Sequence, residues 1–161
     1  MEPRIVMLQE KKLVGKRLTM SLANDRTPEL WRSFMMQRKE IQNCCSSDLY
    51  SIQIYDPKFN HKDLTLHTVF DKLAAAEVTD IFHIPEGMEA YTVRGGLYAV
   101  YIHKGLPSAF EKTFHYIFQE WMPASEYEVD SREHFELLGE KYKNNHPDSE
   151  EEIWIPIRQK H

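Results

Sequence analysis

The sequence predicts an α+β fold in which two helices lie on one antiparallel sheet. Three observations predict it. Short runs of alternating apolar and polar residues, the period of a strand, recur along the chain. Two further runs carry apolar residues at helical spacing, and each is opened by a proline, Pro28 or Pro107. These prolines stand about half a chain apart, and the order around each is the same: strand, helix, strand, loop, strand. At 161 residues the chain suits a single domain, 1–161, with repeat halves of about 1–80 and 81–161. Repeated units of this kind are expected to pack their sheets about a pseudo-twofold axis.

Taken in order, residues 3–9 alternate weakly and read as a strand that continues through 13–20. Thr27 is the expected N-cap of the first helix, with Pro28 at its first position. Leu30, Trp31, Phe34, Met35, Arg38 and Ile41 lie near one stripe of it, and Asn43 with Ser46, Ser47 and Asp48 is expected to close it. Residues 49–55 alternate as a strand that Asp56 and Pro57 end, and residues 58–68 read as loop. The run 69–78 contains Ala74, Ala75 and Ala76, which propensity alone would make helical. The repeat makes it a strand, because it fills the slot that 152–157 fills in the second half. A turn at 84–87, a strand at 88–93, a hairpin turn at Gly95 and Gly96, and a strand at 97–103 follow. Phe110, Phe114, Ile117, Phe118 and Trp121 form the stripe of the second helix, which Pro123 stops. In the last strand Ile153, Ile155 and Ile157 share one face, Trp154 and Pro156 the other; the proline suits an edge strand or a strand end.

Composition narrows the function. A formal net charge of −5 with scattered Lys and Arg argues against non-specific nucleic-acid binding. Cys44 and Cys45 are adjacent, a poor geometry for a disulfide, and no other cysteines exist to complete a zinc site. His61, His67 and Asp63 share a loop, but their spacing matches no tight ligand set, so no metal or cofactor is expected. No apolar leader or membrane-length run occurs, and a cytoplasmic protein is expected. Three Trp, eight Tyr and eight Phe exceed what a core of this size needs, leaving some to line a cavity or groove.

Glu136 is the most informative residue. It interrupts the apolar run His134-Phe135-Glu136-Leu137-Leu138; in a strand it shares a face with Leu138, while Phe135 and Leu137 share the other. Two readings compete: a solvated carboxylate on an edge strand, or a lone carboxylate on the floor of an aromatic pocket, awaiting a cation.

The ordered set Ile84-Pro-Glu-Gly-Met, Tyr91-Thr-Val-Arg-Gly-Gly-Leu-Tyr-Ala-Val, His103-Lys-Gly, Phe118-Gln-Glu-Trp-Met-Pro, Phe135-Glu136 and Glu152-Ile-Trp-Ile-Pro-Ile resembles the GyrI-like, or AraC-type, effector-binding domain. Each piece is weak alone; together they span nearly the whole chain. The resemblance implies a duplicated strand-helix-strand-strand fold with a central ligand cleft. This chain departs from the family pattern in having Ala76 where relatives have Gly, and Trp154 where they often have Tyr. Residues 1–26 are too short and strand-like to supply the helix-turn-helix of the transcription activators, so no direct DNA binding is expected.

By that resemblance Glu136 matches the buried Glu that faces ligand in drug-sensing relatives. Trp31, Met35, Tyr101, Phe118, Trp121 and Trp154 are the candidate walls, although Phe110, Phe114 and Phe118 fit a core-facing stripe equally well. The implied function is binding of lipophilic, often cationic, aromatic compounds, for sensing or sequestration. One branch of the family implies a hydrolase of electrophilic cyclopropane-type compounds, with Glu136 as acid or base and Trp31 as platform. Another implies a protein partner, as in the gyrase-inhibiting relatives.

Overall fold

A computed structural model describes residues 2–60 and 63–161; His61 of the loop considered for a metal lies outside the described residues. The strands are β1 (Arg4–Leu8), β2 (Lys11–Met20), β3 (Cys44–Ile54), β4 (Phe70–Val78), β5 (Glu89–Val93), β6 (Gly96–Lys104), β7 (Tyr127–Val129), β8 (His134–Leu138) and β9 (Glu150–Gln159). All pairings are antiparallel, in the order β1-β6-β9-β8-β3-β4-β2-β5, with β7 paired to β9. Leu8 stands opposite Gly96, and Lys11 opposite Val93, so the register runs unbroken from the β1–β6 pair into the β2–β5 pair. The two ends of the strand order are therefore parts of one long strand pair, and the sheet curls round on itself. The α+β class holds: a curled antiparallel sheet carries two main helical segments.

The curl has two sides. Its concave side is filled by Leu13, Tyr50, Ile52, Leu73, Val93, Tyr98, Val100, Phe135 and Trp154. The other side carries the helices. Helix α1 (Thr27–Gln37) seats Leu30 and Phe34 on Val14, Phe70, Ala74, Ala76 and Val78. The three alanines keep β4 low enough for helix and neighbouring strands to approach, which is why a run of high helical propensity is a strand here. The second helical segment, residues 107–124, seats Ile117 and Met122 on Ala99, Tyr101, Ile153, Ile155 and Ile157.

Several expectations change. Thr27 is the first residue of α1 rather than its cap; Asp25 Oδ1 accepts hydrogen bonds from the Thr27 amide at 3.0 Å and its hydroxyl at 2.6 Å. Ser46, Ser47 and Asp48 do not close the helix: they lie in β3, in an irregular stretch between the Cys44–Val78 and Leu49–Ala76 pairs. Gly95 and Gly96 make no hairpin, since β5 pairs with β2 while β6 pairs with β1 and β9. Gly95 is needed there because a Cβ would come 2.7 Å from the Leu8 carbonyl of the crossing strand. β9 is not an edge: Pro156 pairs with Tyr98 of β6, and on its other side falls in the gap between β8, paired as far as Trp154, and β7, paired from Ile157. A residue without an N–H fits that gap. The second helical segment begins as a 3-10 turn (Pro107–Ala109), becomes α2 (Phe110–His115), widens to a π turn (Tyr116–Trp121) and ends as α3 (Met122–Ala124). Pro123 has no amide hydrogen to donate and would crowd the preceding turn of a regular α-helix; the wider turn before it relieves both.

Candidate functional site

Glu136 sits in β8, which lies between β3 and β9 and is not an edge strand. One row of residues crosses the sheet there: Tyr101, Ile153, Glu136, Ser51, Ala74 and Lys16, each opposite the next. Ala74 packs beneath α1, while Tyr101 and Ile153 pack beneath the second helical segment. Glu136 and the buried Ser51 occupy the middle, between the two helical clusters. The alternation that puts Phe135 and Leu137 into the concave core turns Glu136 to the helical side.

The flanks follow from contacts on each helix. Lys16 reaches Ser33 Oγ at 2.8 Å and Gln37 reaches the Glu86 carbonyl at 2.7 Å, fixing one side of α1 toward β2 and β5. Arg38 reaches the Ser47 carbonyl at 3.0 Å, so the opposite stripe, Trp31, Met35 and Arg38, faces β3 and the open middle. Trp31 is half-buried, edge-on to Phe34 at 5.7 Å; Met35 is exposed. On the second segment, Lys112, Tyr116 and Glu120 line an open groove of about 910 Å³ together with Ile102 and Lys104. Glu136 does not line that groove. Half-buried Phe110, Phe114, Phe118 and Trp121 form the other flank, with Phe110 stacked on Phe114 at 5.5 Å. Trp121 stacks on Tyr127 of β7 at 6.3 Å and meets Tyr101 of β6 edge-on at 5.8 Å, which sets this flank over β9, the strand with which both pair.

Of the candidate residues, the structure thus brings Trp31, Met35, Phe118 and Trp121 to the helical side shared with Glu136, with Tyr101 fully buried beneath Trp121. Trp154 is separated from them. It is register-opposite Phe135, stacks on it at 5.2 Å, and lies 5.7 Å from Tyr98 in the concave core, on the far face of the sheet from Glu136. Its indole Nε1–H donates to Glu152 Oε1 at 3.0 Å.

Four residues that the sequence did not single out interact electrostatically with Glu136: Lys72 acts on it, and it acts on Glu151, Tyr55 and Tyr142. Burial raises the carboxyl pKa of Glu136, and Lys72 of β4 opposes the rise. Glu136 is half-buried by surface area, so the side chain is crowded by protein yet still reached by solvent. Glu151 of β9 is buried on the same face, since β9 alternates Glu151, Ile153, Ile155. Burial first and Glu136 second push its carboxyl up to about 8, against the pull of Lys72. Tyr55 is pushed up to about 12 by burial and by Glu136, and Tyr142 is raised by burial, Glu151 and Glu136. Lys72 Nζ donates to Thr27 Oγ1 at 3.1 Å, at the start of α1. Tyr55 stacks on Phe59 at 5.3 Å and meets Phe70 and His134, closing one end of the open middle with aromatic rings. The sequence signal for Glu151 was its place two residues before the first isoleucine of the β9 face. An acidic run from Asp148 to Glu152 hid it by looking like a charged loop.

The curled sheet thus carries two helices on one face, with a carboxylate on the strands between them and aromatic rings on either side. The chain belongs to the GyrI-like family: the model of the GyrI-like small molecule binding domain matches residues 1–158. It is 26% identical over 159 residues to the transcriptional regulator BrlR of Pseudomonas aeruginosa, covering 98% of this chain and 56% of that protein. The chain therefore spans about half the length of the curated relative it matches. Among solved structures, SAV2435 bound to tetraphenylphosphonium superimposes with a TM-score of 0.68 at 18% identity, covering 98% of this chain and 94% of that one. A hydrolase encoded by lin2189 from Listeria innocua superimposes with a TM-score of 0.60 at 12% identity, covering 98% and 92%. At these identities the two structures share the fold. No helix among the described residues is long and apolar enough to cross a membrane.

Proposed function

We propose that the recess between α1 and the second helical segment binds lipophilic aromatic cations, and that the protein senses or sequesters such compounds. The observation that carries the reading is the position of Glu136 on the helical face of the sheet's middle, with Trp31 and Met35 on one flank and Phe114 and Phe118 on the other. A carboxylate there neutralises a delocalised cation, and ring faces attract it without directional hydrogen bonds, so many shapes fit. Tyr101 and Trp121 support the second flank; Trp154 acts from behind, by stacking on Phe135 under the floor. The ligand-bound state of SAV2435 supports the choice of cation class. Titration with tetraphenylphosphonium, followed by Trp fluorescence, tests it. Saturable quenching that weakens at least tenfold in Glu136→Gln is expected; equal binding by both proteins would remove Glu136 from the role.

The raised carboxyl of Glu136 favours a second reading. A Glu whose carboxyl is raised by burial holds its proton more readily and can act as an acid on an electrophilic small ring, with Trp31 as platform. Turnover of a cyclopropane-bearing compound, lost in Glu136→Gln, would establish it; saturable binding without turnover leaves the receptor reading.

A further inference from the structure

The recess holds more charge than a single-anchor cation site needs. Two carboxylates, Glu136 and Glu151, lie on one face of adjacent strands. Leu137 is opposite Glu152, which sets Glu151 diagonal to Glu136, within reach for long side chains. Glu151 is only 8% exposed. Among the described residues, neither carboxylate makes an ion pair or a hydrogen bond with another side chain, and Lys72 gives its hydrogen bond to Thr27. A nine-tenths buried carboxylate left without a partner is costly, and in this fold it stands where a ligand would stand.

We infer that Glu136 and Glu151 form a carboxyl pair that shares one proton in the empty recess, with Lys72 balancing the remaining charge, and that a monovalent organic cation displaces that proton on binding. The inference rests on the recess being the cation site proposed above. Its charge balance is simple. Two carboxylates, one ammonium and one proton sum to zero; the incoming cation takes the proton's place and the sum stays zero. Two like charges this close and sheltered cannot both ionise without a compensating cation, and Lys72 compensates only one. The titratable groups facing the pair are Lys72 on β4, Tyr55 at the end of β3, His134 on β8, Tyr142 beyond β8 and His103 on β6, which is register-opposite Glu151. The two tyrosines are held protonated by burial. His103 has its ring nitrogens engaged by Thr113 at 2.8 Å and the Leu106 carbonyl at 3.2 Å.

The experiment is calorimetric titration of the intact protein with tetraphenylphosphonium, in buffers of differing ionisation heat, between pH 6 and 8. About one proton released per cation is expected, with affinity rising roughly tenfold per pH unit while the pair holds its proton. Glu151→Gln is expected to release almost none and to lose the pH dependence. Lys72→Met keeps both carboxylates, so it is expected to bind more tightly and still release a proton; this variant guards against a folding defect in the first. Saturable binding without proton release overturns the inference and leaves the proposed function standing. An absence of binding at every pH overturns both.

Discussion

The unpartnered Glu151 makes a prediction that needs no ligand. Its carboxyl, ordinarily near 4.5, is pushed up to about 8, first by burial and then by Glu136. The unfolded chain releases this proton near the ordinary value; the folded protein keeps it. Between those two values the folded state binds more protons, so stability falls as pH rises. The contribution is fully present below about 4.5 and lost by about 8. At ~1.4 kcal/mol per pH unit the gap between the two values sets a ceiling of about 5 kcal/mol. Because Glu151 is partly reached by solvent and its shift depends in part on Glu136, the expected loss is on the order of 2–5 kcal/mol. That is a large part of a typical domain stability of about 5–15 kcal/mol. The assay is urea unfolding from about pH 5 to about pH 9, with midpoint and slope fitted at each pH. The parent is expected to lose this stability across the window, and Glu151→Gln to keep most of it. Parallel stability curves for the two proteins would refute the claim that Glu151 is buried without a partner.

Three other outcomes follow from the same geometry. Trp154→Ala removes the ring stacked on Phe135 at 5.2 Å in the concave core, and is expected to cost roughly 3–5 kcal/mol in urea unfolding without altering which cations bind. Trp31→Ala removes a half-buried flank ring, and is expected to weaken tetraphenylphosphonium binding by about 1–2 kcal/mol with a smaller loss of thermal stability. Gly15→Ala places a Cβ onto the Ala74 carbonyl and 2.6 Å from Ala75 Cα, backbone that cannot step aside; a thermal unfolding midpoint lowered by about 2–12 °C is expected, as from about 1–3 kcal/mol of overpacking.

Much of the fold was legible because period and punctuation agreed. Pro28 and Pro107 marked the two helical segments, and alternation put Ile153, Ile155 and Ile157 on one face of β9, the face that the structure packs under a helix. The alanine strand β4 was readable only through the repeat, since Ala74 to Ala76 carry no strand preference of their own. The site was half legible. Glu136 stood out because a carboxylate broke an apolar run. Trp154 misled because alternation tells two faces apart without saying which one is the recess. Here the concave side is filled core and the helical side is the open one, so the residue beside Ile153 faces away from Glu136. Glu151 was hidden in an acidic run that reads as a charged loop, Lys72 in a strand whose partner was unknown, and only strand pairing brings them near Glu136.

The location of the recess follows from the strand order. Along β2-β4-β3-β8-β9-β6, the two outer strands of each half, β2 with β4 and β9 with β6, lie under that half's helix, and the inner strands, β3 and β8, meet in the middle. A helix is about 10–12 Å across with its side chains, and strands are spaced about 4.8 Å apart, so one helix covers about two strands. Two helices over six strands therefore leave about two uncovered, and these are β3 and β8. Leu49 and Tyr55, toward the ends of this face of β3, still pack against the α1 cluster, while the positions between them are neither covered by a helix nor freely solvated. Ser51 and Glu136 occupy those positions. A polar floor between two apolar flanks is thus what this topology imposes, and the flanking side chains decide what it holds. With Lys72 held at the start of α1 and Glu151 one step along the sheet, this floor carries one negative charge more than positive when fully ionised. In the proposed site a single cation, a proton or a ligand, balances it.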